Sequence, residues 1–92
     1  MKTFGEYIKI EREKLGIPQR KIAAFLDIDT STLSKIERNE RRATASMIKI
    51  FSKQLNLKLN EVEFEYLKDS ILSDYDKLDN LKECLIKISK EL

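Results

Sequence analysis

The sequence predicts an all-α protein: five short helices forming one domain, followed by a sixth, amphipathic helix at the C-terminus. Three observations carry that prediction. Apolar residues recur at steps of three and four, and no stretch of useful length alternates with the period of two that a half-buried strand requires. Only two glycines and one proline interrupt 92 residues, and there is no tryptophan, so turn and barrel signals are few. Charged residues make up 37% against 41% hydrophobic, well above the usual charged share of roughly 25%, which suits short helices with one buried and one solvated face. A chain of this length allows one domain plus an appended helix, and its modest core would gain from oligomerisation.

Each element has its own signals. Thr3 is placed to cap a first helix running to about Leu15, with Phe4, Tyr7, Ile8 and Glu11 marking its turns and Gly16 stopping it. Pro18 suits the first turn of a second helix, whose inner face carries Ile22, Ala23 and Leu26. The break at Asp27-Ile28-Asp29 is short, and Asp29 is the expected N-cap of a third helix from Thr30 to about Arg38, with Leu33 and Ile36 facing inward. Asn39 suits the left-handed conformation that ends it, and residues 39–43 read as an exposed, charged loop. Thr44 is expected to cap a fourth helix ending at Leu55, with Ala45, Ile48, Phe51, Ser52 and Leu55 at helical spacing. Asn56 ends that helix and Asn60 is expected to cap a fifth.

Beyond Asn60 the pattern becomes a heptad seam. Phe64, Ile71, Leu78, Leu85 and Leu92 fall at position a, and Leu67, Leu81 and Ile88 at d, with Asp74 in the missing d position. Ser73 and Asp76 resemble a capping box, which predicts a break near residues 72–74 and a last helix over about 74–91. Residues 1–68 are accordingly expected to form the domain and 69–92 an extension. Two heptads are short for an independent coiled coil. The seam residues Leu78, Leu81, Leu85 and Ile88 are therefore expected to pair with a second subunit, the alternative being a fold back onto the chain's own domain.

Composition excludes several function classes. With no histidine and a single cysteine, Cys84, neither an intramolecular disulfide nor a four-ligand zinc site of nitrogen and sulfur can be built. Gly5 and Gly16 cannot supply a P-loop or a dinucleotide fingerprint, and no catalytic constellation is visible, so the expectation is a protein that is not an enzyme and needs no cofactor. No apolar run approaches the ~20 residues of a membrane span and no signal-peptide core follows Met1, which predicts a cytoplasmic protein. The net charge of +2 conceals an asymmetry. Residues 1–56 carry 12 Lys/Arg against 7 Asp/Glu, and residues 57–92 carry 6 against 9. All five arginines, Arg12, Arg20, Arg38, Arg41 and Arg42, lie in the basic part, and the arginine fork suits phosphate and guanine.

Residues 19–38 meet the demands of a helix-turn-helix. Two short helices joined by a tight turn must approach closely, and Ala23 is the small residue that permits it. Ile22, Leu26, Ile28, Leu33 and Ile36 supply the inward positions on both sides of the turn. The remaining face of the second helix of the pair presents Thr30, Ser31, Ser34, Lys35 and Arg38, whose spacing keeps them on one side of the cylinder. That face is polar and uncharged at its N-terminal end and then basic, as expected for a helix lowered into a major groove. Tyr7, Phe25 and Phe51 are read as packing residues and not as platforms for bases. Glu61, Glu63 and Glu65 alternate by two, which scatters them around a helix.

From Phe4 to Leu67 the sequence resembles the lambda-repressor-like, xenobiotic-response-element family of bacterial DNA-binding domains. The likeness rests on Gly16-Ile17-Pro18-Gln19, on Ala23, on the run Leu33-Ser34-Lys35-Ile36-Glu37-Arg38-Asn39 and on Ile48, Phe51 and Leu55. The resemblance implies a five-helix domain in which residues 30–38 form the recognition helix and Gln19 touches a backbone phosphate or orients a base-reading side chain. It also implies a structural ion pair between Arg12 and Glu37. Asp27 departs from the family's usual glycine, and Pro18 from its Ser or Thr cap. The recognition helix carries Thr and Ser where many relatives carry Gln, Arg or Asn, so base preference would lean on Lys35, Arg38, water and DNA shape.

The base-reading set is then Thr30, Ser31, Thr32, Ser34, Lys35 and Arg38, and the phosphate-binding set Gln19, Arg20, Arg41, Arg42 and Thr44. Together they imply a DNA-binding transcriptional regulator that partners double-stranded DNA as a homodimer, with no membrane partner and no small-molecule effector evident. Residues 37–44 are similar to the same stretch of controller proteins of restriction-modification systems, which regulate their own operon. Phage-type repressor and general regulator are the neighbouring readings. The reading from another class is an antitoxin-like interaction module whose acidic C-terminal helix binds a protein partner.

Overall fold

In the computed structural model, residues 2–92 are described and form α1 (Phe4–Lys14), α2 (Gln19–Leu26), α3 (Thr30–Glu37), α4 (Ile48–Gln54), α5 (Leu59–Tyr75) and α6 (Leu81–Lys90), with a 3-10 turn at Ala45–Met47 ahead of α4. No strand is present among the described residues. The capping expectations hold at the first and third helices. Thr3 Oγ1 accepts from the Glu6 amide at 3.1 Å, and Asp29 Oδ1 from the Thr32 amide at 2.7 Å. Each occupies one of the donors a helix N-terminus leaves without a partner. Asp27, Asn39 and Asn56 follow α2, α3 and α4 with φ of 57°, 61° and 53°, and Gly16 follows α1 with φ of 66°. Asp27 therefore performs, as an exposed aspartate, the left-handed turn that glycine makes more readily.

Three boundaries differ from the sequence reading. The fourth helix begins at Ile48 behind the 3-10 turn, and Thr44 does not cap it; its hydroxyl shares a 2.9 Å hydrogen bond with Ser46 Oγ, while Ala45 is exposed. The fifth helix starts one residue before Asn60, which lies inside it, and the preceding Lys58 offers no side-chain cap. Ser73 starts no new helix, because α5 continues to Tyr75 and Ser73 Oγ turns back to Asp69 Oδ1 at 3.2 Å. The break falls at residues 76–80, where Asp76, Asp79 and Asn80 favour turns over helix, and Leu78 sits in that connection. The seam is thus divided between the second half of α5 and a shorter α6, and α5 runs unbroken across positions 68 and 69.

The core lies where α1, α2, α3, α4 and the first half of α5 meet. Ile8, Ile22, Leu33, Phe51, Leu55 and Val62 are its fully buried side chains. Phe4 closes one end, edge-on to Phe51 with ring centroids 5.8 Å apart and to Tyr66 at 5.2 Å. Gly5 lets α1 approach α3, since a Cβ there would collide with the backbone of Ile36. Phe25, expected to pack, is instead 54% exposed on the outer side of α2. No residue of α6 is buried.

Candidate nucleic-acid interface

The helix-turn-helix is built as its spacing requires. Ala23 is 2% exposed at the α2–α3 crossing, with Ile22, Leu26, Leu33 and Ile36 buried around it and Ile28 packed partly against the same core. That packing fixes the rotation of α3 and turns Thr30, Ser31, Lys35 and Arg38 to solvent, with Thr32 and Ser34 half-buried at the margin. The N-terminal end of α3 is ordered by Asp29, which also accepts from Ser31 Oγ at 3.0 Å. Hydrogen bonds from Thr32, and then from Ser31, hold the Asp29 carboxyl below its usual range. The Ser31 hydroxyl proton is thereby occupied, leaving its oxygen to accept from a base edge.

Behind α3 lies a buried polar bracket. Arg12 Nε donates to Glu37 Oε2 at 2.8 Å and Nη2 to Oε1 at 3.0 Å, with the side chains 10% and 1% exposed. Arg12 Nη1 reaches the Ile17 carbonyl at 2.8 Å, and Gln19 Nε2 donates to Glu37 Oε1 at 2.9 Å. Hydrogen bonding to Glu37 raises the Arg12 pKa above its ordinary value against the opposing effect of burial. The bracket ties α1, the start of α2 and the end of α3 together, in agreement with the pairing that the family resemblance implies. Gln19 belongs to it, so one amide hydrogen is held inward and the other remains for a phosphate oxygen.

The exposed arginines are in different states. Arg38 Nε donates to Glu40 at 2.6 Å and its Nη1 to Ser34 Oγ at 2.6 Å, joining two base-reading candidates to an acidic loop residue. Arg42 spans the loop to α5 and holds Asp74 bidentately, both contacts at 2.9 Å. These hydrogen bonds lower the pKa of Glu40 and Asp74 and raise that of their arginines. Arg20, Lys35 and Arg41 are exposed, and no hydrogen bond or ion pair engages their side chains among the described residues. The loop is fastened further by Tyr66 Oη, which donates to the Ala43 carbonyl at 2.9 Å. Glu40, Tyr66 and Asp74 are partners of this face that helical spacing does not single out. In the sequence, Asp74 is a polar intruder in an apolar seam, 32 positions from its partner.

A family model described as helix-turn-helix matches residues 8–62, more than half of the chain. The chain belongs to this family. It is accordingly a DNA-binding protein of the lambda-repressor-like, transcription-regulating kind, a family that is typically non-enzymatic. No curated protein and no solved structure matches it. The family match ends at Val62, inside α5, so the second half of α5 and all of α6 lie outside it. No helix among the described residues is long and apolar enough to cross a membrane.

Proposed function

We propose that this helix-turn-helix protein is a sequence-specific transcriptional regulator that binds duplex DNA in the cytoplasm as a homodimer. Helix α3 enters the major groove of each half of a two-fold-related operator, with half-sites about 34 Å apart. The observation that supports this most is the outer face of α3, polar at its tip and basic at its end, standing on the Arg12–Glu37–Gln19 bracket. Thr30, Ser31, Thr32, Ser34, Lys35 and Arg38 read bases. Arg20 and Arg41 take phosphates directly, Gln19 does so through its second amide hydrogen, and Arg42 and Thr44 do so by exchanging present hydrogen bonds for phosphate oxygens. The C-terminal seam residues Leu78, Leu81, Leu85 and Ile88 join the two subunits. Control of its own operon, in the manner of restriction-modification controller proteins, is supported by the likeness of residues 37–44.

The deciding experiment is a binding titration on the DNA upstream of the protein's own gene against a scrambled duplex, at several salt concentrations. Cooperative binding to the upstream fragment that survives at physiological salt is the expected result. Equal, weak and steeply salt-dependent binding to both would refute autoregulation, and absence of binding to any duplex would refute DNA recognition.

A further inference from the structure

The C-terminal seam assigned to the homodimer leaves open which part of α5 completes the contact and in which direction the two copies run. One strip of the molecule is suited to it. Along the outer side of α5, Phe64, Leu67, Ile71 and Leu72 line a groove of about 300 Å³, and Leu85 of α6 forms its other wall. Phe64 is 61% and Leu67 56% exposed, although the rest of the chain has a closed core. The groove continues in both directions. Through Phe64 it joins a depression bordered by Glu61 and Glu65, and through Leu72 and Leu85 it joins one bordered by Lys82 and Ile86. An apolar middle therefore carries an acidic end and a basic end. Glu65 is occupied locally by Lys68 at 3.0 Å, whose ammonium also lies over the Phe64 ring, so the central lysine is compensated within its own chain. Glu61 and Lys82 are exposed and without a described ion pair.

We infer that this α5–α6 strip is the contact between two copies of the chain, and that the copies lie antiparallel across a two-fold axis near Leu67 and Ile71, between the two charged ends. This contact rests on the homodimer reading and gives it a surface and a direction. In an isologous contact the residue pair i–j occurs twice, as i with j and as j with i. A strip acidic at one end and basic at the other is complementary to itself when reversed. The axis sets Glu61 of each copy toward Lys82 of the other and lays the two apolar middles together. A parallel arrangement would set Glu61 against Glu61 and Lys82 against Lys82. The molecule's elongated form, 41 × 24 × 22 Å, and an amphipathic α6 with none of its residues buried in the chain itself both fit a second copy as the missing cover.

The test uses paired charge reversals on the full chain. Glu61→Lys and Lys82→Glu each turn both interchain pairs into repulsions, and each is expected to weaken self-association about ten-fold by sedimentation equilibrium. Mixed in equal amounts, the two variants regain both attractions, one subunit supplying two lysines and the other two glutamates, and a heterodimer is expected at wild-type strength. Leu85→Lys is expected to give monomers whose helix content and melting temperature match a diluted wild type, which separates loss of the interface from loss of folding. Wild type that stays monomeric at all concentrations, or charge variants that neither weaken association singly nor restore it when mixed, would overturn the inference. A DNA-binding titration on the same samples separates the two proposals. Half-site binding by the Leu85→Lys monomer upholds DNA recognition whatever the dimer contact, and an antiparallel dimer that binds no duplex upholds the contact while removing the regulator.

Discussion

Arg12→Met is the substitution whose consequence the structure determines most closely. It leaves the Glu37 carboxylate 1% exposed with Gln19 as its remaining side-chain partner, and bares the Ile17 carbonyl. Removing one member of a buried ion pair costs about 3–5 kcal/mol, because the survivor is an uncompensated charge in low dielectric. A chain of this size has on the order of 5–14 kcal/mol of total stability, so the variant forfeits a large share of it. At about 4–8 °C per kcal/mol, the melting temperature falls by roughly 12–40 °C. The double variant Arg12→Met/Glu37→Leu removes both charges and is expected to recover most of that loss, with about 1 kcal/mol remaining for the unpaired Ile17 carbonyl. Urea denaturation followed by circular dichroism measures both. Equal losses in the single and double variants would show that packing, not an orphaned carboxylate, is what Arg12 contributes. The double variant also releases Gln19, so stability is expected to return without full DNA affinity.

Gly5→Ala places a methyl against the Ile36 carbonyl and is expected to separate α1 from α3, destabilising the domain by about 1–3 kcal/mol in thermal denaturation. Arg41→Ala is expected to reduce the slope of log affinity against log salt by about 0.9 per subunit, about 1.8 for the dimer, on every duplex, whereas a loss confined to one target sequence would contradict a phosphate role. Asp74→Asn frees Arg42 from its carboxylate and is expected to steepen that slope by a similar amount, a gain that Arg42→Ala cancels; an unchanged slope would mean Arg42 braces the loop and never reaches phosphate. With no histidine in the chain, stability is expected to be nearly level between pH 5 and 7. The lowered carboxyls of Asp29 and Asp74 add stability that is complete above the unfolded value of about 3.9 and lost as pH falls through their folded values, so the melting temperature declines below pH 4. Asp29→Asn/Asp74→Asn is expected to make that decline shallower.

The domain was legible in the sequence because its determinants are local or periodic. Asp29 caps the residues that follow it, Asn39 and Asn56 end the helices before them, and Ala23, Leu33 and Ile36 follow directly from helix spacing. The boundaries that differ have equally local reasons. Thr44 has the residue type of a cap, but its hydroxyl has a neighbouring partner in Ser46, and the helix is entered through a 3-10 turn. Ser73 looked like a helix start, but inside α5 its hydroxyl is satisfied by Asp69 one turn earlier, so nothing there requires the helix to stop. Gly5 carried no signal of its own, because the need for a missing Cβ arises only when Ile36 arrives from a different helix.

What spacing could not convey is the state of the charges that face DNA. Arginines of similar exposure differ sharply once folded: Arg42 is clamped to α5, Arg38 is folded onto Glu40 and Ser34, and Arg41 stands open. The carboxylates that hold the first two present paired acceptors to a guanidinium fork, as a guanine edge would to Arg38 and a phosphate to Arg42 in the proposed docking. Binding DNA then exchanges one charge-assisted pair for another, so the net affinity from Arg38 and Arg42 is smaller than from an unpaired cation. The exchange also has a structural consequence that Arg41 lacks. When Arg42 leaves Asp74, the tie between the loop behind the recognition helix and the last turns of α5 is released, and those turns lead through residues 76–80 to α6. A phosphate on Arg42 thus acts on the same helix that carries the proposed subunit contact. In the proposed docking, the Arg42–Asp74 pair is therefore shared between the DNA-facing loop and α5, and the polar residue in an otherwise apolar heptad is there to hold that arginine.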